Sequence, residues 1–339
     1  MKKKIFNILL LVLVTTLLCA CGKEEVKKKE EVKKDVVEEK KVQIIDLESN
    51  ERPYAVMINT HNDALPQSGL QDAYIVYELM VEGGITRMMA LFKEVPVDKI
   101  GSVRSARTQY LGYVYEHDAI YVHAGGATDA IKRINSEGID HVDVDGEYGV
   151  RDTNLNRSWE HTLFTSTELI KKGIDNKSIK TTTSSDNLLK YQAEPLNLKE
   201  YTDKLVANNV SIQYSYYRTA EYTYNKDSKK YLRSMNGNPN TDLVTGIQYE
   251  VKNIIVYGVN YSNYCYNTYC KYQKIDNIGT GDGYYITEGY AIPITWTKEN
   301  EKSQTVYKVK ETGEELVVND GNTYIQIYPK NEILKINWW

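Results

Sequence analysis

The pattern of apolar residues changes character once along this chain, and that change limits the folds open to it. From Arg52 to Val144, short β-prone runs alternate with helical stretches. From about Leu205 onward only short alternating strands remain, punctuated by turn signals such as Asn236-Gly237, Thr312-Gly313 and Asn319-Asp320-Gly321-Asn322. In the first part, Arg52 to Asn59 is apolar through Ala55-Val56-Met57-Ile58 and reads as a buried strand. Two β-prone runs, Tyr74 to Glu82 and Ile85 to Phe92, flank Gly83-Gly84, a dipeptide suited to a tight hairpin turn. A helical stretch to about Glu116, a strand ending at His123, a helix from Thr128 and a strand at Ile139 to Val144 follow. Such alternation implies parallel pairing with right-handed crossovers. Thr165-Ser166-Thr167-Glu168 is a capping box that opens one more helix. The expected class is therefore α/β: a layered α/β N-terminal domain with a mixed sheet over residues 51–200, and a smaller, mostly-β C-terminal domain over 205–330. The polar stretch from Lys177 to Asp203 would connect them.

The N-terminus says where this fold must form. Lys2 to Lys4 precede an apolar stretch shorter than the roughly 20 residues needed to cross a hydrocarbon core. Leu18, Ala20 and Gly22 then surround Cys21 in the lipobox pattern of a bacterial lipoprotein signal. Residues 1–20 read as a signal peptide cut before Cys21, and lipid on that cysteine would hold the chain on the outer face of the cytoplasmic membrane. Residues 21–50 are mostly Lys and Glu with no aromatic residue, and read as a charged flexible linker.

Composition narrows the partners. A net charge of −4 argues against a nucleic-acid binder. The 29 Tyr against 3 Phe suit half-exposed strands, where the ring packs and the hydroxyl stays wet, and could offer stacking surfaces to sugars. Cys265 and Cys270 bracket a four-residue stretch that would form a two-residue hairpin turn on Asn267 and Thr268, placing the thiols opposite each other and within bridging range. The five histidines show no paired ligand spacing, so no metal and no cofactor is expected.

The residues that could carry chemistry gather at strand ends. Pairing the hairpin about Gly83-Gly84 sets Met80 opposite Arg87 and turns Glu78 and Glu82 to the face of Arg87, as an ion-paired surface or a ligand-facing patch. Arg104 and Arg107 sit at the start of a helix, where the dipole disfavours cations, so an anion or partners such as Glu78, Glu82 or Asp152 should offset them. His123 with Gly125 and Gly126 ends a strand and opens a helix, the place where α/β sheets put ligands. Arg151 and His161 could close over the same edge.

Six motifs in order, Arg52-Pro53 with Val56-Met57-Ile58-Asn59, Pro66-Gln67-Ser68-Gly69-Leu70, Ile75-Val76-Tyr77-Glu78, Val81 to Arg87, Val103-Arg104-Ser105-Ala106-Arg107 and Tyr121 to Gly126, resemble those of the YerB-like lipoproteins of Gram-positive bacteria. The likeness continues through Tyr231-Leu232-Arg233, Asn253 to Val256 and Gly289 to Pro329. It implies a layered α/β first domain, a small β-rich second domain and a lipid anchor, with no established activity. Glu160-His161-Thr162 departs from the Pro-His-Asn usual in that family. The expected function is a noncatalytic cell-envelope protein binding an anionic wall-related ligand or an envelope partner through Arg87, Arg104, Arg107, His123 and their neighbours. The alternative is an envelope phosphate-directed transferase or hydrolase with Glu78 or Glu82 as base.

Overall fold

A computed structural model describes residues 40–337. The signal peptide, most of the charged linker and the lipidation candidate Cys21 lie outside the described residues. No helix among the described residues is long and apolar enough to cross a membrane.

The first strands are β1 (Tyr54–Ile58), β2 (Ile75–Met80), β3 (Thr86–Phe92), β4 (Ile120–His123) and β5 (His141–Asp143). Three helices, α1 (Thr108–Glu116), α2 (Thr128–Glu137) and α3 (Thr167–Lys177), complete this part. The later strands are β6 (Asn209–Ser215), β7 (Arg218–Asn225), β8 (Lys230–Met235), β9 (Asn253–Tyr266), β10 (Tyr269–Asp276), β11 (Gly279–Thr287), β12 (Tyr290–Lys298) and β13 (Thr323–Pro329).

One 12-stranded mixed sheet contains strands from both parts of the chain, in the order Leu205–Val206, β12, β11, β9, β13, β2, β3, β1, β4, β5, with β10 on β9 and Val306–Val309 on β12. The alternating stretch pairs in parallel, β1 with β4 and β4 with β5. The late strand β13 lies parallel to both β9 and β2, with Ile75 beside Thr323 and Asn253 beside Thr323 on the other side. The backbone hydrogen bonding of the first part thus continues without a break into the second.

Every residue of β1 and of β3 is buried, because the sheet is covered on both faces. Tyr77, Leu79, Met89 and Leu91 face α1 and α2, meeting Tyr110, Leu111, Tyr113 and Ile134. Val76, Met88 and Ala90 face the other way, toward Ile170 and Ile174 of α3 and toward a second sheet. That sheet is built on β8, β7, β6 and Leu334–Ile336, and its inner residues include Val210, Ile212, Tyr214 and Tyr222. The protein is accordingly more β-rich than a layered α/β fold: among the described residues three α-helices cover the sheet, and a second sheet supplies much of the opposite layer.

Two local readings change, and one run of glycines finds its reason. The helix opened by the capping-box sequence is capped by Ser166, whose hydroxyl accepts from Leu169 N–H at 3.1 Å, one residue later than the pattern places it. Gly279 to Gly283 begins β11, and the reason for glycine there is contact: a Cβ on Gly281 would stand 2.6 Å from Trp296 Nε1. The β2–β3 hairpin turns through three residues, Glu82 to Gly84, so Leu79 rather than Met80 lies opposite Arg87. A one-residue slip reverses every side chain of a strand. Glu78 therefore points to the face opposite Arg87.

Candidate functional site at the strand ends

The parallel strands β1, β4 and β5 end at one edge of the sheet, followed respectively by Asn59 to His61, Ala124 to Gly126 and Val144. The segment Val103–Ala106 threads between them. Arg104 N–H donates to Met57 O at 2.8 Å, Ala124 N–H to Arg104 O at 3.1 Å and Ala106 N–H to Gly125 O at 3.0 Å. These bonds use the backbone groups that strand ends would otherwise leave open, and they fix where the arginines start.

Arg87, on β3, reaches the same region. It is 5% exposed, its Nη1 donates to Ser105 O at 2.6 Å, and no carboxylate among the described residues lies within salt-bridge distance of it. Burial, reinforced by Arg107 and then Arg104 and opposed by Glu82, pulls its guanidinium down to about 9. Arg107 is clamped: Nε bonds both oxygens of Glu82 at 2.9 Å and Nη1 donates to Ala106 O. Arg104 is more open and meets Glu160 through Nη2 at 2.5 Å, with Glu160 itself half exposed. Three guanidiniums thus share two carboxylates.

Other candidates have different surroundings. Glu78 is fully buried on the far face, where Oε1 accepts from Thr86 Oγ1 at 2.7 Å and Oε2 from Arg233 Nη2 at 2.8 Å. Both oxygens are engaged, so it is not a free base. His123 has no exposed surface; Nδ1 contacts Gly125 O at 2.8 Å and Nε2 contacts His141 Nδ1 at 3.0 Å. Burial pushes it down to about 4, leaving a neutral, doubly engaged ring. Gly125 has a φ of +56°, and a Cβ on Gly126 would stand 2.6 Å from Ile131 Cδ1, so both glycines are required by the chain's own geometry. Arg151 is held by Trp159 O at 2.6 Å and Asp145 at 2.7 Å, with its guanidinium 4.3 Å from the centre of the exposed Trp159 ring.

His161 is brought next to a residue outside the expected set. Its ring stacks on His61 at 4.9 Å, and with Asp63 the two form a group whose ligand atoms lie within 4.8 Å of one another. Two imidazoles and a carboxylate are a donor set suited to a divalent transition metal. In this arrangement, however, Asn59 Nδ2 donates to His161 Nδ1 and Asp63 N–H donates to His61 Nδ1, so each Nδ1 is already an acceptor. A metal would have to enter through the Nε2 atoms. His61 follows β1 and His161 lies on the loop before α3; only the fold brings them together, and no spacing in the sequence points to the pair.

At the tip of the β9–β10 hairpin, Cys265 and Cys270 are joined by a disulfide, with Tyr266 opposite Tyr269 at the turn.

The fold and this edge define a mixed-sheet protein of strand-end arginines held by its own carboxylates and carbonyls. The chain belongs to the family described as protein of unknown function DUF3048, matching its N-terminal domain over residues 42–180 and its C-terminal domain over residues 210–325. It is 32% identical over 298 residues to "Putative lipoprotein YerB" of Bacillus subtilis (strain 168), covering 85% of each chain. The crystal structure of YerB protein from Bacillus subtilis is also similar, with a TM-score of 0.72 at 30% identity, covering 85% of this chain and 94% of that one.

Proposed function

We propose that this protein is an exported, lipid-anchored envelope protein that binds an anionic wall-related ligand at Arg87, Arg104 and Arg107. Two features support the anchor: the lipobox around Cys21 and the lipoprotein wording in the name of the Bacillus subtilis relative. The binding reading rests on Arg87, a buried guanidinium flanked by two others and given a backbone carbonyl instead of a carboxylate. An anion there would relieve the repulsion among the three cations and meet guanidinium geometry that favours phosphate and carboxylate. Arg104 is the gate, since its exposed partner Glu160 can be displaced, whereas the clamped Arg107–Glu82 pair holds the floor.

A phosphate-directed enzyme using Glu78 is less well supported, because that carboxylate is sealed against Arg233. Thermal shifts of the exported chain with pyrophosphate and with polyol-phosphate oligomers test the binding reading. Stabilisation that disappears in Arg104→Gln is expected; equal stabilisation of both proteins, or none of either, overturns it.

A further inference from the structure

One residue past Arg107, a cleft of about 550 Å³ opens between α1, α2 and the hairpin β9–β10. Its volume lies within the roughly 300–1,000 Å³ usual for small-ligand sites. At its wall Asp129, 6% exposed, has one carboxylate oxygen filled and one empty. Oδ2 accepts from Thr108 Oγ1 at 2.6 Å and from the Tyr264 hydroxyl, whereas Oδ1 is buried with no hydrogen-bond donor among the described residues. A buried acceptor left open calls for an explanation, and a ligand donor is one.

Two amides also line the cleft. Gln109 spends Nε2 on Met80 O at 3.3 Å, and Asn277 spends Nδ2 on the Tyr113 hydroxyl at 2.9 Å. Each thus uses one of its two amide N–H donors and keeps a carbonyl oxygen as acceptor. Tyr264 and Tyr266 add aromatic surface from the hairpin, and the Cys265–Cys270 disulfide lies beside both.

We propose that this cleft binds a neutral saccharide: sugar hydroxyls would donate to Asp129, Gln109 and Asn277, and a pyranose face would pack on a tyrosine ring. Glycan lies within reach of any protein held on the outer membrane face. The cleft adjoins the arginine cluster at Thr108 but shares none of its three arginines, so either site can fail without the other.

Calorimetric titration of the oxidised, exported chain with chitotriose, cellotriose and maltotriose tests this, with choline as a cationic probe. Saturable binding of at least one trisaccharide is expected, weakened about tenfold or more in both Asp129→Asn and Tyr266→Ala, an effect of ~1.4 kcal/mol or more, and unchanged in Arg104→Gln. Tyr266 is at the hairpin tip, where substitution spares the core, so the test survives even if Asp129→Asn is unstable. Binding of no trisaccharide, binding of choline alone, or trisaccharide binding indifferent to the Tyr266 substitution overturns the proposal.

Discussion

Arg233 donates to Glu78 across 2.8 Å with neither side chain exposed, tying β2 in the large sheet to β8 in the second sheet. A second buried pair, Lys298 with Glu116 at 2.8 Å, ties β12 to α1. Each bond joins the first part of the chain to the later one, and each removes two charges from water.

Breaking the first pair should therefore cost far more than replacing it. Glu78→Leu leaves Arg233 buried and uncompensated, an expected loss of about 3–5 kcal/mol. Glu78→Leu with Arg233→Met together should recover much of that. Urea denaturation of the two variants checks the order; a single variant as stable as the double would contradict it.

Acid should weaken the fold before the carboxylates titrate. His117 and His123 are both pushed down to about 4, chiefly by burial. The unfolded chain, with histidines near 6.5, binds more protons than the native one below that pH. Their stabilising contribution is thus complete above about pH 6.5 and is lost as pH falls toward 4, at up to roughly 1.4 kcal/mol per pH unit for each ring. Urea midpoints measured from pH 7 to 4.5 should fall, with a shallower slope in His117→Gln; a flat profile would contradict the burial argument.

Reduction of the Cys265–Cys270 bridge should be mild. The loop it closes is short, so the chain-entropy model gives about 2 kcal/mol at most. Thermal unfolding with and without dithiothreitol is expected to show a small drop in midpoint and an intact fold. Collapse on reduction would show that the hairpin supports more of the structure than its own tip.

The proposed membrane attachment rests on one sulfur atom, that of Cys21. Cys21→Ser should move the protein from the detergent-rich to the aqueous phase on Triton X-114 partition. Retention in the detergent phase would point to another anchor.

The strands of the first part were legible because full burial writes continuous apolar runs, as in Ala55-Val56-Met57-Ile58. Turn length was less legible. Gly83-Gly84 suits a two-residue turn, yet Glu82 joins it, and that added residue moves Glu78 from the face of Arg87 to the face of Arg233. The insertion of β13 between β9 and β2 depends on pairings between distant segments, which no local period records. His61 was missed for the same reason, since its partner His161 arrives only after six strands and two α-helices. The arginines were legible as a group because three of them cluster near glycine-bounded strand ends. Of the carboxylates they keep, Glu82 was legible as a partner and Glu160 was not.

Arg87, Arg104 and Arg107 are proposed to hold one anion together, with Glu160 as its competitor. Pyrophosphate titrated calorimetrically into the wild type, Arg104→Gln and Glu160→Gln measures this directly. Tighter binding in Glu160→Gln and weaker binding in Arg104→Gln is the predicted result. Equal affinities in all three, or heat at the level of buffer in all three, would contradict it.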